Sequence, residues 1–502
     1  MNISIDRNLR TPLFWQIFDQ IKELIINGSL PDGSALPSER TQARILGVHR
    51  NTIIKAYSLL KDADLIDSVQ GVGYVVTYRE ETAEAKDGKE TGSGRSKKRG
   101  SGMVNWATLI KDEYQDMEQS YDNIFSRFTE EKGISLSTGM PPAIYDEDEL
   151  AANIASILSA EGRRPFFITP YQGDVVLRQQ IVSYLRTKGI KAGVGDVQIL
   201  SETNQALDFI VAALLNPGDT VILEEPVSPD VYRVIELAGC KPVTVPVDED
   251  GMMCDHIEPL IESSKPKFIY VNSSYQDPTG YILSIERRRK LLELSNKYRI
   301  PIIEDDAASE LSFEDRILPT LKSMEDSGNV IYIYSFALTF IPGMSMAFVV
   351  GPKVLIKALN YLVSIRVMSL DWMTQKLIAE YISDGSYYDR VRDMAALNRE
   401  KMSIVCDALD ELADIGLTYK RPRGGVYVWC RLPDGVDSQD VVSEAFKRGV
   451  MVIPGETFYP FKNAGQNFIR LNYSYEPAER IRRGMDILTE VIKNLAAHSA
   501  AR

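Results

Sequence analysis

The sequence predicts a chain of several domains, with a winged helix-turn-helix at the N-terminus and a large α/β domain that carries a smaller α+β lobe. In the first 78 residues, three helical patterns precede two short strands that flank a glycine-rich tip. In the C-terminal four fifths of the chain, apolar strand-like runs alternate with helical patterns. That alternation indicates a mixed or largely parallel sheet covered by helices.

The N-terminal elements follow from hydrophobic spacing and capping residues. Apolar residues recur at helical spacing over residues 13–25, which predicts the first helix. Ser38 is expected to cap a second helix over 39–46, and a third is expected over about 49–62. Two alternating strands within 65–77 surround the glycine-rich tip and predict the hairpin that forms the wing.

Positive charge is concentrated where the second and third helices are expected. The chain carries a formal net charge of −13, yet residues 1–78 are neutral and no acidic residue occurs from Thr41 to Lys61. A local cluster of cations is the footprint that phosphate binding requires. The cations of this region are Arg40, Arg44, Arg50, Lys55 and Lys61.

The composition argues against several classes of protein. No apolar run approaches the ~20 residues of a membrane span, and the first residues lack the apolar core of a secretory signal. The four cysteines show no paired spacing and only three histidines occur, which argues against disulfides and a metal site. We therefore expect a cytoplasmic protein with no membrane contact and no metal.

The domain boundaries are predicted from local composition. Residues 79–102 contain almost no apolar side chain and cannot bury enough surface to fold. We therefore expect a flexible linker over 79–105, between a winged helix-turn-helix over 1–78 and the large domain over 106–502. A further strand alternation near the end of the large domain is typical of a small α+β lobe.

Several short strings carry a family resemblance in the N-terminal region: Leu36-Pro37-Ser38-Glu39-Arg40, Leu46-Gly47-Val48-His49-Arg50-Asn51-Thr52, Ala56-Tyr57, Leu65-Ile66 and Gly71-Val72-Gly73. This region resembles the GntR family of winged-helix repressors. The resemblance implies that Arg40 and Arg50 contact phosphates or base edges and that Thr52 contacts a phosphate, which suits arginine forks and helix N-termini. The implied DNA-binding residues are Ser38, Glu39, Arg40, Arg44, His49, Arg50, Asn51, Thr52, Gly71 and Gly73.

A second set of strings begins near Gly133: Gln205-Ala206-Leu207-Asp208, Leu215-Asn216-Pro217-Gly218-Asp219, Gln276-Asp277-Pro278-Thr279-Gly280, Glu304-Asp305-Asp306, Ser335-Phe336, Pro342-Gly343, Gly424-Gly425 and Phe468-Ile469-Arg470-Leu471. These strings resemble fold-type I aminotransferases, in the version found in MocR-type regulators of the GntR family. Winged helix, linker and aminotransferase-like domain in that order are the MocR architecture. The resemblance covers nearly the whole chain and implies pyridoxal phosphate as the family cofactor.

The string that should contain the cofactor lysine departs from the family pattern. Members with a working site carry Ser-Phe-Ser-Lys-Thr, whose lysine forms a Schiff base with pyridoxal phosphate. Here residues 335–339 read Ser-Phe-Ala-Leu-Thr, in register with Pro342-Gly343, so the lysine position is Leu338. Leucine has no amine, and we therefore expect neither a covalently bound cofactor nor catalysis.

Four further positions depart from the family pattern. By the resemblance, Ser345 replaces the phosphate-binding arginine, Glu202 the glycine of the phosphate loop, Ala307 the tyrosine at the cofactor ring, and Ser228 an aromatic residue. A carboxylate at Glu202 would repel a dianionic phosphate. The resemblance thus places a degenerate cofactor or effector pocket at Glu202, Thr203, Asn204, Ser228, Asp277, Asp305, Ala307, Ser335, Leu338, Ser345 and Arg470.

Two charged residues of this pocket each have two interpretations. The arginine that matches Arg470 grips the substrate α-carboxylate in this fold, and its retention would suit a small carboxylate effector. Equally, Arg470 could pair with an acidic neighbour and brace the small lobe. Asp305, the family's partner for the pyridine nitrogen, has the same ambiguity and favours a structural role.

The sequence therefore predicts a transcription regulator that binds double-stranded operator DNA as a homodimer. Its large domain is expected to sense a small carboxylate or amino-acid-like effector without covalent pyridoxal phosphate. The alternatives are an active pyridoxal phosphate-dependent aminotransferase, a regulator that binds this cofactor non-covalently, and a large domain that is purely a dimerisation scaffold. Leu338 argues against the aminotransferase.

Overall fold

The computed structural model describes residues 12–26, 29–63, 65–69, 73–77, 133–137, 139–140, 144–314, 318–461 and 464–500. The chain divides into two compact units, Met1–Val104 and Asn105–Arg502, and each is considered by itself. The linker expected over 79–105 lies outside the described residues.

The first unit contains three helices and a two-stranded sheet. They are α1 (Leu13–Ile26), α2 (Glu39–Leu46), α3 (Arg50–Asp62), β1 (Ile66–Val69) and β2 (Gly73–Val76). The two strands pair antiparallel with Ile66 opposite Val76. Helix α2 begins where the sequence predicts, because the Ser38 side chain accepts a hydrogen bond from the backbone N–H of Thr41. It ends at Gly47, whose φ of 63° is the left-handed conformation that glycine adopts at little cost.

The core of this unit is formed by the apolar stripes of α1 and α3. Ile17, Ile21, Ile53 and Leu60 are all fully buried. Helical spacing places such residues on one face of each helix, so the two faces pack together and leave the opposite face of α3 for solvent.

A mixed eight-stranded sheet forms the centre of the second unit. In the order in which they lie, its strands are β4 (Val197–Leu200), β11 (Ala347–Val350), β10 (Val330–Ser335), β9 (Ile302–Asp305), β8 (Ile269–Asn272), β5 (Thr220–Glu225), β6 (Lys241–Asp248) and β7 (Gly251–Met252). The strands from β10 to β6 run parallel. Strand β11 is antiparallel to both of its neighbours.

Helices cover this sheet and the small lobe. They are α4 (Glu147–Glu161), α5 (Val175–Thr187), α6 (Thr203–Leu214), α7 (Pro229–Leu237), α8 (Ile257–Ser264), α9 (Ile285–Tyr298), α10 (Leu321–Met324), α11 (Lys353–Arg366), α12 (Trp372–Ser383), α13 (Ser386–Asp410), α14 (Ser438–Lys447) and α15 (Ala478–Ala500). Short 3-10 turns lie at Arg164–Phe166, Val194–Asp196, Cys254–His256, Pro342–Met344, Ala413–Ile415 and Gly455–Phe458.

The small lobe is built on a four-stranded sheet and has its own apolar core. The strands in spatial order are β12 (Thr418–Tyr419), β13 (Tyr427–Arg431), β16 (Phe468–Asn472) and β15 (Ile453–Pro454). A separate two-stranded pair joins β14 (Val450–Met451) to β3 (Ile134–Ser135). Strand β3 was not expected, because two residues are too short to form a recognisable alternation.

The predicted fold class is confirmed. A winged helix-turn-helix precedes an α/β unit with a mixed sheet and a small α+β lobe. Among the described residues, no helix is long and apolar enough to cross a membrane.

Candidate functional site

The first candidate site is the solvent-facing surface of α2 and the N-terminal turn of α3. Arg40, Arg44, Arg50 and Asn51 are exposed there, and Thr52 is half-buried. The turn between the two helices brings these cations together, because α3 begins only four residues after α2 ends. A helix N-terminus with flanking arginines is suited to bind a phosphate.

Arg50 is held in place by Glu39. Its Nη2 donates to Glu39 Oε2 at 2.7 Å and its Nε donates to the same oxygen at 3.1 Å. The Arg50 side chain remains 62% exposed, whereas that of Glu39 is 19% exposed. Tyr74 of the wing donates to Glu39 Oε1 at 3.4 Å. Glu39 therefore links both helices to the wing and orients Arg50 towards solvent.

Other predicted DNA-binding residues have local structural roles. The exposed His49 is the N-cap of α3, and its Nδ1 accepts from the backbone N–H of Asn51 at 3.3 Å. Two cations of the predicted cluster have partners within the unit. Lys55 lies 4.3 Å from the centre of the Phe14 ring, and Lys61 pairs with Asp67 at 3.2 Å. Gly73 is exposed at the start of β2, and Gly71 lies outside the described residues.

The second candidate site lies at one edge of the large sheet. The carboxyl ends of β8, β9 and β10 meet there because these strands are parallel. Strand β4 ends at the same edge because it pairs antiparallel with β11, which begins beside the end of β10. In open α/β sheets, ligands bind in the crevice outside the carboxyl ends of the strands.

Asp305 is the buried carboxylate of this edge. Its Oδ2 accepts from the Tyr270 hydroxyl at 2.8 Å, and its Oδ1 is buried without a hydrogen-bond partner among the described residues. Burial raises the pKa of Asp305 to about 6, although the Tyr270 hydrogen bond opposes the shift. Asn272 lies beside it in the register, and the half-buried Ala307 follows it along the chain.

Leu338 lies in an apolar environment, in the loop that follows β10 at the same end of the sheet as Asp305. Its half-buried side chain packs against the buried cluster of Leu311, Met394 and Val426. Ser335, the last residue of β10, is buried, and its hydroxyl accepts from the backbone N–H of Ala337 at 3.1 Å. This short loop therefore presents hydrocarbon where the family resemblance implies an amine.

The N-terminus of α6 presents an acid. Glu202 is exposed at the N-cap position and makes no capping hydrogen bond. The pKa of its carboxyl is raised because neighbouring atoms exclude part of its hydration. Thr203 and Asn204 form the first turn of α6. Ser228 is the N-cap of α7 without a side-chain cap, and Ser345 Oγ is buried with no partner among the described residues.

Arg470 lies in the middle of β16 and is bound by Asp277. Its Nη1 donates to Asp277 Oδ1 at 2.7 Å, and its Nη2 donates to the carbonyl of Ser137 at 2.9 Å. The rings of Tyr427 and Phe458 lie 4.3 and 4.8 Å from the guanidinium carbon. Arg470 is thus buried, stacked on aromatic rings and ion-paired.

A buried ion cluster around Lys188 was not evident from the sequence. The Lys188 Nζ lies 3.0 Å from Asp306 Oδ2 and 2.9 Å from Glu310 Oε1. Burial lowers the pKa of Lys188, but the two carboxylates raise it by more, so the amine stays charged. Asp306 follows Asp305 directly in the chain, so this ion cluster holds in place the segment that carries Asp305. Lys188 follows the last residue of α5, and a lysine at the end of a helix carries no local sequence signal of burial.

The described part of the chain contains no group of three or more histidine, cysteine, aspartate or glutamate side chains that could hold an ion. The four cysteines are free and buried.

Two different protein families match the N-terminal and the C-terminal parts of the chain. Residues 14–76 match bacterial regulatory proteins of the gntR family, and residues 131–488 match aminotransferase class I and II. The first region coincides with the winged helix-turn-helix, and the second contains the large sheet and the small lobe.

Full-length relatives share both regions. The chain is 28% identical over 488 residues to YdfD, an uncharacterized HTH-type transcriptional regulator of Bacillus subtilis (strain 168), covering 97% of this chain and 98% of the relative. It is 26% identical over 506 residues to MocR of Rhizobium meliloti, a probable rhizopine catabolism regulatory protein, covering 99% and 97% of the two chains.

Solved aminotransferases share the fold of the large unit. LysN, the α-aminoadipate aminotransferase of Thermus thermophilus, was crystallised with N-(5'-phosphopyridoxyl)-L-leucine. It superposes with a TM-score of 0.73 at 26% identity, covering 79% of this chain and all of LysN.

Proposed function

This chain belongs to the aminotransferase class I and II family and carries a gntR-type helix-turn-helix domain in front of it, and from this we propose that it is a DNA-binding transcription regulator without aminotransferase activity. Its large domain dimerises and senses a small carboxylate or amino-acid-like effector. The observation that carries the proposal is the hydrocarbon environment of Leu338 at the edge where the family holds its cofactor.

The DNA-binding part of the proposal depends on the face formed by α2 and α3. Arg40, Arg44 and Arg50 are exposed around the N-terminus of α3, where the helix dipole also favours an anion. Glu39 restricts Arg50 to one orientation, which reduces the entropy lost when the arginine binds a phosphate or a guanine. We assign α3 as the recognition helix and β1–β2 as the wing.

The pocket does not fit covalently held pyridoxal phosphate. An imine requires an amine, and Leu338 has none. Lys188, the buried lysine of the ion cluster beside this edge, is committed to two carboxylates and stays protonated. Glu202 would set a negative charge against the phosphate at the α6 N-terminus. These features favour a regulator without pyridoxal phosphate over an active aminotransferase. They also disfavour a regulator that binds the cofactor non-covalently.

Replacing Leu338 with lysine should not restore cofactor binding. The new amine would enter an apolar cluster that disfavours its charge. Glu202 would still repel the phosphate, and Ser345 would still supply no cation to bind it. We expect no visible absorption band after incubation with pyridoxal phosphate followed by dialysis. A lysine-bearing aminotransferase treated in the same way serves as the positive control. A band that persists in the variant would contradict the proposal of a remodelled pocket.

An exposed apolar segment supports the proposed homodimer. Phe166, Phe167 and Ile168, which precede α5, are 81%, 62% and 57% exposed. Val175 and Val176 at the start of α5 are exposed as well. Monomeric proteins rarely expose contiguous apolar patches of this kind. A second copy is the occupant we propose, because symmetric homodimers bury identical patches and two winged helices bind paired half-sites.

We expect the protein to elute as a dimer in size-exclusion chromatography with light scattering, at twice the 56.3 kDa of one chain. Replacing Phe166 and Phe167 together by glutamate should shift micromolar protein to monomer, because the interface would have to bury two charges from each chain. The matched control is Leu237→Glu, an exposed apolar residue at the end of α7. A parent that remains monomeric at micromolar concentration would refute the dimer.

A further inference from the structure

The arginine of the proposed effector pocket already has an internal carboxylate as its partner. We propose that Asp277 competes with the effector for Arg470, so that a ligand carboxylate binds only after Asp277 has left the guanidinium. This inference rests on the proposed function, in which Arg470 receives a small carboxylate. It makes Asp277 the residue that sets the affinity of the pocket for carboxylates.

Arg470 cannot easily move away from this contact. Its guanidinium is in contact with the rings of Tyr427 and Phe458, and its Nη2 donates to the carbonyl of Ser137. The Arg470 side chain is 6% exposed. A charge held this tightly and shielded from water needs an anionic partner, and Asp277 supplies one at 2.7 Å.

Asp277 is the more exposed partner of the pair. Its side chain is 26% exposed, so its carboxylate can reach water by rotation. The loop that carries it is fixed by its neighbours and does not depend on the Asp277 side chain. Gln276 donates to the carbonyl of Pro226 at 2.7 Å and accepts from the Thr279 hydroxyl at 2.5 Å. Asp277 can therefore leave Arg470 without unfolding the loop.

The charge balance of the pocket makes this competition effective. The charge of Asp277 is one of the causes that raise the pKa of Asp305, after the larger effect of burial. An incoming carboxylate would therefore meet two acids and an arginine that is already neutralised. When the binding-competent state is only a fraction of the population, the observed affinity falls by that fraction. A neutral residue at position 277 removes the competition for Arg470 and one of the two repelling charges.

Calorimetric titration of the full chain with glutarate tests the inference. Glutarate is a dicarboxylate without an amine, so loss of a possible Asp277–ammonium contact cannot influence the result. Asp277→Asn keeps the size of the side chain and one acceptor oxygen but removes its charge. We expect this variant to bind glutarate about tenfold more tightly than the parent. Arg470→Gln in the Asp277→Asn background should abolish that gain.

The control is Asp248→Asn. Asp248 of β6 forms another Arg–Asp pair of the same unit, with Arg287 of α9, and the substitution removes the same charge there. It should leave glutarate binding as in the parent. Unchanged or weaker binding by Asp277→Asn, with binding still dependent on Arg470, would overturn the competition and leave the proposed effector class intact. If neither parent nor Asp277→Asn binds glutarate, both the competition and the carboxylate effector are refuted.

Discussion

Replacing Lys188 with methionine should lower the free energy of unfolding of the large unit by about 3–5 kcal/mol, as expected when a buried pair loses one partner. The substitution leaves Asp306, fully buried, and Glu310, largely buried, without their cation. The Tyr332 and Tyr184 hydroxyls that bond these acids cannot replace a positive charge. Urea denaturation followed by circular dichroism measures the loss.

The amount of unfolding free energy that the Lys188→Met variant loses should depend on pH. Without the amine, the folded variant holds two buried negative charges with no cation beside them. Uptake of a proton removes one of these charges, so the folded variant binds more protons than its unfolded chain. Its stability therefore falls as pH rises above about 4, and the deficit is larger at pH 8 than at pH 5. In the parent, the raised pKa of Lys188 makes its contribution constant over this range. That contribution is lost only at alkaline pH, as the pH passes through the raised pKa.

Two further variants make this prediction specific. Lys297→Met removes an exposed lysine that pairs with Glu258 at 2.5 Å, and it should leave the denaturation midpoint unchanged. Adding Asp306→Asn to Lys188→Met should recover part of the lost stability, because it removes one of the uncompensated charges. A Lys188→Met protein as stable as the parent at pH 8 would show that the cluster does not depend on its lysine.

Replacing Arg50 with alanine should weaken binding to operator DNA by about 1–3 kcal/mol, or roughly 5- to 150-fold. Arg50 is the cation of α3 that Glu39 holds at the solvent-facing N-terminus, and its removal also leaves Glu39 to repel the DNA backbone. The duplex for this test is selected from a random-sequence pool by the parent. Fluorescence anisotropy at matched salt then gives the two dissociation constants.

The control for this experiment is Arg392→Ala, an exposed arginine in an Arg–Asp pair of the large unit. It removes the same charge and should bind the duplex as the parent does. Lys61→Ala should mainly reduce the salt dependence, and only slightly, because Lys61 is already paired with Asp67. Parent-like binding by Arg50→Ala would show that α3 is not the recognition helix.

Much of the fold could be predicted from the sequence because the signals are local. The repeat of apolar residues over 13–25 and the cap at Ser38 each belong to a single helix, and both helices form where predicted. The parallel strands were also evident, because strands buried on both faces are continuous apolar runs. The short strand β3 was not, because two residues carry no periodicity.

The pocket could be predicted only in part. Sequence alone determined the residue types, including leucine at position 338 and glutamate at 202, and hence that no amine is available there. It left two interpretations of Arg470 open. Which acid Arg470 contacts depends on a partner 193 residues away in the chain.

The tertiary structure decided the pairing of charges. Asp277 meets Arg470, and Lys188 meets an acid 118 residues away, because the sheet brings separate strand ends and loops to one edge. No local pattern encodes such contacts, since they depend on how distant segments pack and on which charges that packing removes from water. The sequence by itself therefore determined the elements and the loss of the amine, and only the folded chain determined which acid neutralises the pocket's arginine.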